Sequence, residues 1–355
     1  MSWLAGIHRR LVAGHFNNPL RLILLLLLLP PALIFGVLGW ARSLCYAAGI
    51  FSSYRSSLKV VSVGNLAVGG LGKTPAVDWL VKEFASQGKR VAIISRGYGG
   101  KFSGAAGIVS NGREILMDAD EAGDEPLLLA RRNPHCPVLI ARKRVNAIKV
   151  IESQYDVDLI ILDDGFQHQA VNRDIDLVLL DGARPFGNGW PLPAGNLREF
   201  PVALKRADIL LMTRSDRANA RSIARMPAFT SRHSLSDEAL SLDNVSITIE
   251  QLSTMKLLAF AGIANPDDFF ISLERLGLSL CKKVSFPDHV RYSAKEISLL
   301  AQEATDVDAF VTTEKDAVKL SADMLKLPCY QVPLTLEIDN ASVFIEHINK
   351  QLWSH

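Results

Sequence analysis

Between residues 65 and 80 the chain reads NLAVGGLGKTPAVDWL. Gly69, Gly70, Leu71 and Gly72 lead into Lys73 and Thr74, and an apolar-patterned helix is expected to begin at once. Residues of these types at this spacing grip phosphate. Backbone N–H groups of a glycine-rich turn and of a helix start point at the anion, and the helix dipole favours negative charge there. The common nucleotide-binding pattern is Gly, four residues, then Gly-Lys-Ser/Thr. Gly72-Lys73-Thr74 satisfies its second half, whereas Ala67 stands at the first glycine position and Gly69 and Gly70 supply the flexibility. Lys73 is expected to reach the β- and γ-phosphates and the Thr74 hydroxyl to ligate Mg²⁺. Pro75 suits the first helical turn, where its missing N–H needs no partner. An ordinary glycine-rich strand-to-helix turn would explain the glycines but not the Lys-Thr pair that follows them.

A phosphate site also needs a carboxylate at a neighbouring strand end to organise the metal. DLIILDDGFQH supplies Asp163 and Asp164 directly after an apolar run. Adjacent carboxylates repel unless a cation sits nearby, although Asp also closes strands and starts turns without any metal. Three other segments are less explicit. EAGDEP places Asp124 and Glu125 before a helical run, which by itself reads as a cap. FGNGWPLPAGNLRE (186–199) is a long Gly/Pro-rich loop ending in Arg198 and Glu199, and such loops are usually functional or disordered. FPDHVRY offers Asp288 and His289; a lone histidine is more often structural than catalytic.

The elements that must position these residues follow from periodicity. KVVSVGN (59–65), RVAIISRG (90–97), DLIILDD (158–164), DLVLLDG (176–182) and DILLMTR (208–214) are continuously apolar rather than alternating, the pattern of strands buried on both faces of a parallel sheet. Segments such as 75–88 and 143–154 have helical length and spacing. The expected fold is α/β, a doubly wound, mostly parallel sheet of the P-loop type spanning 51–235. A polar, weakly patterned connection near 215–243 follows. Beyond it KLLAFAGIANP (256–266), a helix at about 267–277 and AFVTTEKDAVKL (309–320) indicate a smaller α/β unit, assigned to 236–355. No internal repeat is visible.

At 355 residues, 21% charged and 48% hydrophobic, the chain is long enough for two folded domains. The net charge is +2 and the only dense basic cluster is Arg142-Lys143-Arg144, which argues against a nucleic-acid partner. Four scattered cysteines (Cys45, Cys136, Cys281 and Cys329) suggest neither a disulfide framework nor a zinc site. The strongest bias lies in residues 1–50. From Leu22 to Ala41 the chain runs 20 residues without a charge, with six consecutive leucines. As one helix this would span about 30 Å, the thickness of bilayer hydrocarbon. Pro30-Pro31 is expected to kink or break it. Arg9, Arg10, Arg21, Arg42, Arg55 and Lys59 flank both sides, so the charges leave orientation open. The segment reads as a membrane anchor, either crossing the bilayer or lying in its cytoplasmic face.

In order along the chain, VGNLAVGGLGKTP (63–75), ISRGYGG (94–100), AGDEP (122–126), LDDGFQH (162–168), FGNGWPLPAGNLRE (186–199), AGIANP (261–266), FPDH (286–289) and TTEKDAVK (312–319) resemble the tetraacyldisaccharide 4′-kinases, the lipid A 4′-kinases of Gram-negative bacteria. The likeness covers nearly everything from residue 60 onward, and the Ala67 departure is shared with that family's own loop. It implies transfer of the ATP γ-phosphate to the 4′-hydroxyl of a tetraacylated disaccharide 1-phosphate, a lipid A precursor. By position it implies that residues 69–75 hold the nucleotide and that Asp163, Asp164 and Glu199 lie around Mg²⁺ with Thr74. It also implies that Asp124 accepts the sugar hydroxyl proton with support from His289, and that Arg198 stabilises the transferring phosphoryl group. The partners implied are the lipid substrate and the inner (plasma) membrane surface, with the catalytic domains on the cytoplasmic side; no obligate protein partner is evident. A membrane-associated P-loop ATPase or GTPase of the signal-recognition or partitioning type is the rival reading. It explains residues 60–165 but has no use for the 186–199 loop or the anchor.

Overall fold

A computed structural model describes residues 19–214 and 226–354. Arg9, Arg10 and residues 215–225 of the expected polar connection lie outside the described residues. Helix α1 (Pro19–Ala47) opens the chain and is followed by β1 (Lys59–Asn65), α2 (Lys73–Ser86), β2 (Val91–Ser95) and β3 (Gly107–Asn111). Next come α3 (Ala119–Ala122), α4 (Asp124–Arg132), β4 (Pro137–Ile140), α5 (Arg144–Gln154), β5 (Leu159–Asp163), β6 (Ile175–Asp181), β7 (Ile209–Thr213) and β8 (Ala228–Leu235). The smaller unit holds β9 (Glu238–Ser241), β10 (Ser246–Thr248), α6 (Ile249–Ser253), β11 (Leu257–Ala261), α7 (Pro266–Arg275), β12 (Leu280–Ser285), α8 (Ala294–Glu303), β13 (Ala309–Thr312), α9 (Glu314–Ala317) and β14 (Cys329–Gln331). Strand β15 (Leu334–Ile338) and helix α10 (Ala341–Trp353) close the chain.

The first sheet runs in the order β15-β8-β7-β6-β1-β5-β2-β4-β3. Its inner strands are parallel, and only the edge strands β3 and β15 are antiparallel. Successive residues face opposite cores, which is why these strands read as unbroken apolar runs. Val61, Val63, Ile93 and Ile161 pack under α2, α4 and α10. Val60, Ala92, Ile94, Ile160 and Leu162 pack under α5. The second sheet, β10-β9-β14-β13-β11-β12, carries its own cores on its two faces.

Two expectations are narrowed. Of a kink or a break at the proline pair, the break does not occur: α1 is continuous through Pro30 and Pro31. Each proline forfeits its own N–H, but intact turns on both sides carry the helix on. The final segment also does not stay with the smaller unit. β15 pairs antiparallel with β8, Leu334 opposite Leu235, and Phe344, Ile345, Ile348 and Leu352 of α10 fill the core of the first sheet.

The return of the chain is fastened by a buried ion-pair network. Arg132 at the end of α4 donates from Nη1 to Asp78 of α2 at 3.0 Å and from Nε to Glu314 of α9 at 2.8 Å. Its Nη2 donates to Glu314 and to the Leu334 carbonyl, and Leu334 N–H donates back to Glu314 at 2.8 Å. One guanidinium thus ties α2 and α4 to the smaller unit and to the first residue of β15. Removing one partner of a buried pair strands the others, a loss of about 3–5 kcal/mol. Arg132→Ala is therefore expected to lower the urea unfolding free energy by that amount. A loss within about 1 kcal/mol, the scale of an exposed pair, would show that the network is not structural.

Candidate active site

The phosphate loop starts where β1 ends. Leu66 and Leu71 are buried in the core beneath it, so the backbone between them is carried over the edge of the sheet. Gly72 has φ 82° and ψ 30° immediately before Lys73, and a Cβ there would lie 2.0 Å from the His233 imidazole of β8. Only glycine serves both the left-handed turn and that close approach. The loop is stitched to residues 186–199: Val68 N–H donates to the Asn196 carbonyl and Arg198 N–H to the Leu66 carbonyl, each at 2.7 Å. That contact gives the Gly/Pro-rich loop its place. It delivers Arg198 to the phosphate side.

Asp163 ends β5, beside the phosphate-loop strand, with Val63 of β1 opposite it. It is 1% exposed, and its Oδ2 accepts from Ser95 Oγ at 2.8 Å, while Oδ1 has no partner. Burial first, then the charges of Glu125 and Asp164, push its carboxyl up to about 6. Asp164 adopts φ 51° and turns its carboxylate to Arg198 Nη1, 2.8 Å from both oxygens, and to Lys73 Nζ at 3.6 Å. Burial alone would raise the Asp164 carboxyl, but Lys73, Arg198 and Arg144 together hold it below the usual carboxylate range.

These residues fit a divalent cation: an orphaned carboxylate oxygen, two further carboxylates acting on it, and the Thr74 residue at the adjacent helix start. Among the described residues no cluster of three or more His, Cys, Asp or Glu side chains forms a ready cage. Mg²⁺ needs none, because waters and phosphate oxygens complete its octahedron. Glu199 is not brought to this group. Its carboxylate pairs with Arg206 at 2.9 and 3.0 Å, and Arg206 in turn donates to Ser43 of α1 at 3.0 Å. Arg198 thus faces Asp164, while Glu199 is tied through Arg206 to the anchor helix.

A second constellation spans the two units. Asp124 is the first residue of α4, and its Oδ2 lies 3.1 Å from His289 Nδ1 in the loop after β12. Lys319 Nζ stands 3.6 Å from the same oxygen and is itself held by Asp316 at 2.9 Å. Burial pushes the Asp124 carboxyl up, but the His289 hydrogen bond and the Lys319 and Lys315 charges outweigh it and hold it below its ordinary value. Glu125 pairs with Lys315. The fields of Lys73 and Asp164 also fall on Glu125, so the two constellations form one site. Ser95, Lys315 and Lys319 are the members that sequence reasoning missed, and Glu125 it noted beside Asp124 without giving it a role. The signal was present in EKDAVK, where two lysines four residues apart follow an apolar strand: Lys315 lies in the short helix α9 and Lys319 in the turn that follows it.

Because Asp124 is ionised, His289 must donate from Nδ1. That hydrogen bond, and the nearby charges of Asp288 and Asp124, raise the His289 pKa above its ordinary value. The contribution of this pair to stability is full below the unfolded value of about 6.5 and fades as pH rises through the raised folded value. In an NMR titration His289 is expected to titrate above about 6.5, and Asp124→Asn should bring it back down. Equal His289 values in both proteins would dissolve the pair.

The tetraacyldisaccharide-1-P 4′-kinase family model matches residues 24–353. The tetraacyldisaccharide 4′-kinase of Syntrophotalea carbinolica is 44% identical over 95% of this chain and 94% of its own length. That of Geobacter sulfurreducens is 41% identical over 93% and 94%. Among solved structures, the "apo" form of LpxK from Aquifex aeolicus, in complex with ATP, superposes with a TM-score of 0.80 at 29% identity, covering 92% of this chain and 98% of that one. The phosphate loop and the Asp124–His289 pair therefore sit in a chain matched almost end to end, and it belongs to the tetraacyldisaccharide-1-P 4′-kinase family.

Proposed function

We infer that this chain transfers the γ-phosphate of ATP to the 4′-hydroxyl of a tetraacyldisaccharide 1-phosphate. The observation that carries the reading is the convergence of a phosphate-gripping loop and a hydrogen-bonded Asp124–His289 pair on one edge of the first sheet. A nucleotide hydrolase needs only the first of these. A kinase needs both, because phosphoryl transfer asks the protein for charge stabilisation at the phosphates and for alignment of the attacking oxygen.

Residues 69–75 wrap the nucleotide phosphates, 69–74 with their backbone N–H groups, and Lys73 balances β- and γ-phosphate charge. Thr74 and Asp163, with Asp164 behind them, would hold Mg²⁺, which when bound neutralises charge between the β- and γ-phosphates. Arg198, held at 2.8 Å by Asp164, would stabilise the charge on the phosphoryl group in transit. Asp124 accepts the proton of the attacking hydroxyl. A carboxylate of low basicity suffices, since in a loose transition state the proton leaves late and alignment matters most. His289 fixes the carboxylate by donating to Oδ2, and Lys319 keeps it ionised.

The anchor brings this site to its substrate, which four acyl chains keep in the membrane. Helix α1 is long and apolar enough to cross a bilayer, and it exposes Leu26, Leu27, Ile34 and Leu38. Its far end is bonded directly to the catalytic unit: Arg42 donates to the Gln167 carbonyl and Ser43 to Gln169 at 3.1 Å. A cavity of about 540 Å³ opens at this junction between Trp40, Leu44, Phe200 and Val202. The catalytic units would thus lie against the cytoplasmic face of the inner membrane.

Incubation with [γ-³²P]ATP, Mg²⁺ and the disaccharide 1-phosphate lipid should put the label in the lipid extract. Lys73→Ala should slow this by about 10²–10³, the scale of one lost charge-stabilising donor. Label released only as inorganic phosphate, or a Lys73→Ala rate within about threefold of wild type, would contradict the assignment.

A further inference from the structure

The motifs AGIANP, FPDH and TTEKDAVK of the smaller unit meet at one side chain, Asp316, which stands outside the reacting groups. Asp316 is the third residue of α9 and is 0% exposed. A carboxylate at that depth is costly unless it is both paired and hydrogen-bonded. Here it is both. Oδ2 accepts from the Gly262 N–H at 3.0 Å and from the Thr313 hydroxyl at 2.7 Å, and Oδ1 accepts from Lys319 Nζ at 2.9 Å. Thr313 Oγ1 also accepts the Asp316 N–H at 3.2 Å, which fixes the backbone beneath the carboxylate.

Two of the three donors lead to the catalytic pair. The Gly262 carbonyl accepts the N–H of His289 at 3.2 Å, so a single residue joins Asp316 to the histidine loop. His289 needs such support, because it sits at φ 57°, in the left-handed region that a non-glycine residue adopts only at a cost. At Gly262 a Cβ would lie 2.4 Å from Val290 Cγ1 and 3.0 Å from Asp316 Oδ1, so no larger residue fits between them. The other donor, Lys319, is 7% exposed in its side chain. Its ammonium stands 5.4 Å from the centre of the Tyr292 ring and 3.6 Å from Asp124 Oδ2. His289 and Lys319 therefore bear on the same oxygen of Asp124, and both are held from one buried carboxylate. Among the described residues no donor is bonded to Asp124 Oδ1.

Resting on the kinase reading above, we propose that Asp316 is a positioning residue. Through Gly262 and His289, and through Lys319, it fixes Asp124 by Oδ2 and leaves Oδ1 as the atom that takes the proton of the attacking hydroxyl. In that step the O–H proton passes to Oδ1 and the freed electron pair of the oxygen forms the bond to the γ-phosphorus. The bridging P–O bond to the β-phosphate breaks with its pair, which leaves on ADP. A carboxylate exchanges its two oxygens by rotation about Cβ–Cγ. Two partners on one oxygen, themselves fixed by a third group, remove that freedom, and alignment of the attacking oxygen requires it to be removed.

The test places Lys319→Met, Lys319→Arg and Asp316→Asn in the wild-type chain and in Asp124→Asn, and reads kcat and both KM values by transfer of label from ATP to the lipid. Met removes the charge of Lys319 at similar volume. Asn keeps the volume of Asp316 but has one acceptor oxygen for three donors. In the wild-type chain Lys319→Met and Asp316→Asn should each lower kcat by about 10–10²-fold, the scale of a displaced reacting group. KM for ATP and for the acceptor should change less than about threefold. Lys319→Arg, which keeps the charge, should retain most of kcat. In Asp124→Asn, which has no base to aim, the first two substitutions should cost less than about a further twofold. Melting curves check that each variant is folded; should Asp316→Asn unfold, the two Lys319 variants decide by the same criteria. Equal fold-losses in both backgrounds would overturn the proposal, since a residue that only supports the fold acts with or without the carboxylate. So would an undiminished kcat in Lys319→Met, or a loss confined to KM. A wild-type chain that labels no lipid would instead contradict the kinase reading itself.

Discussion

The hydrogen bond between Asp124 and His289 joins residues 165 positions apart, and it exists only if two α/β units are held in one register. Most of the rest of the structure serves that constraint. The Arg132 network pins α4, whose first residue is Asp124, to α9. α9 begins the turn that carries Lys315 and Lys319 to Glu125 and Asp124. The chain then crosses back, so that β15 and α10 seal the first sheet. Two units could each fold around their own core. The returning strand and a buried guanidinium make them present one edge.

At that edge the chemistry is a problem of charge. Asp163, Asp164, Glu125 and Asp124 crowd the ends of β5 and the start of α4, and the protein answers three of them with Lys73 and Arg198, Lys315, and Lys319 with His289. Burial first, then the charges of Glu125 and Asp164, push the Asp163 carboxyl up to about 6, while Asp164, Glu125 and Asp124 fall below their usual range. The pattern separates groups already neutralised by the protein from the one that carries no ion pair, the carboxylate we propose for the metal. Beyond Asp163 the sign reverses, with Arg144 Nη2 3.4 Å from the carbonyls of Asp163 and Asp164.

Much of this was legible in the chain because the signals are local. Strands buried on both faces write themselves as apolar runs, so β1, β2, β5, β6 and β7 were found within a residue or two of their ends. The Gly72-Lys73-Thr74 turn and the Asp163-Asp164 pair stand at strand ends, where local pattern and chemistry coincide. What was missed is non-local or directional. β15 joins the first sheet through pairing with a strand about 100 residues earlier, for which no local pattern exists. Glu199 was grouped with the metal on the family resemblance alone, yet its carboxylate pairs with Arg206. Pro30-Pro31 has a strong local meaning that a long helix overrode. Lys315 and Lys319 look like ordinary surface lysines until α9 is seen against α4.

The claim that two units make one catalytic pair is tested most directly by a double-mutant cycle on kcat. Asp124→Ala should lower kcat by about 10²–10⁴, the span for losing a general base, and His289→Ala should lower it by less. If His289 acts only through the carboxylate it orients, the double variant should be little slower than Asp124→Ala alone, because residues working as a unit are not additive. Multiplicative losses would contradict this, leaving His289 as a residue that acts by itself and the 3.1 Å contact as structure without chemistry.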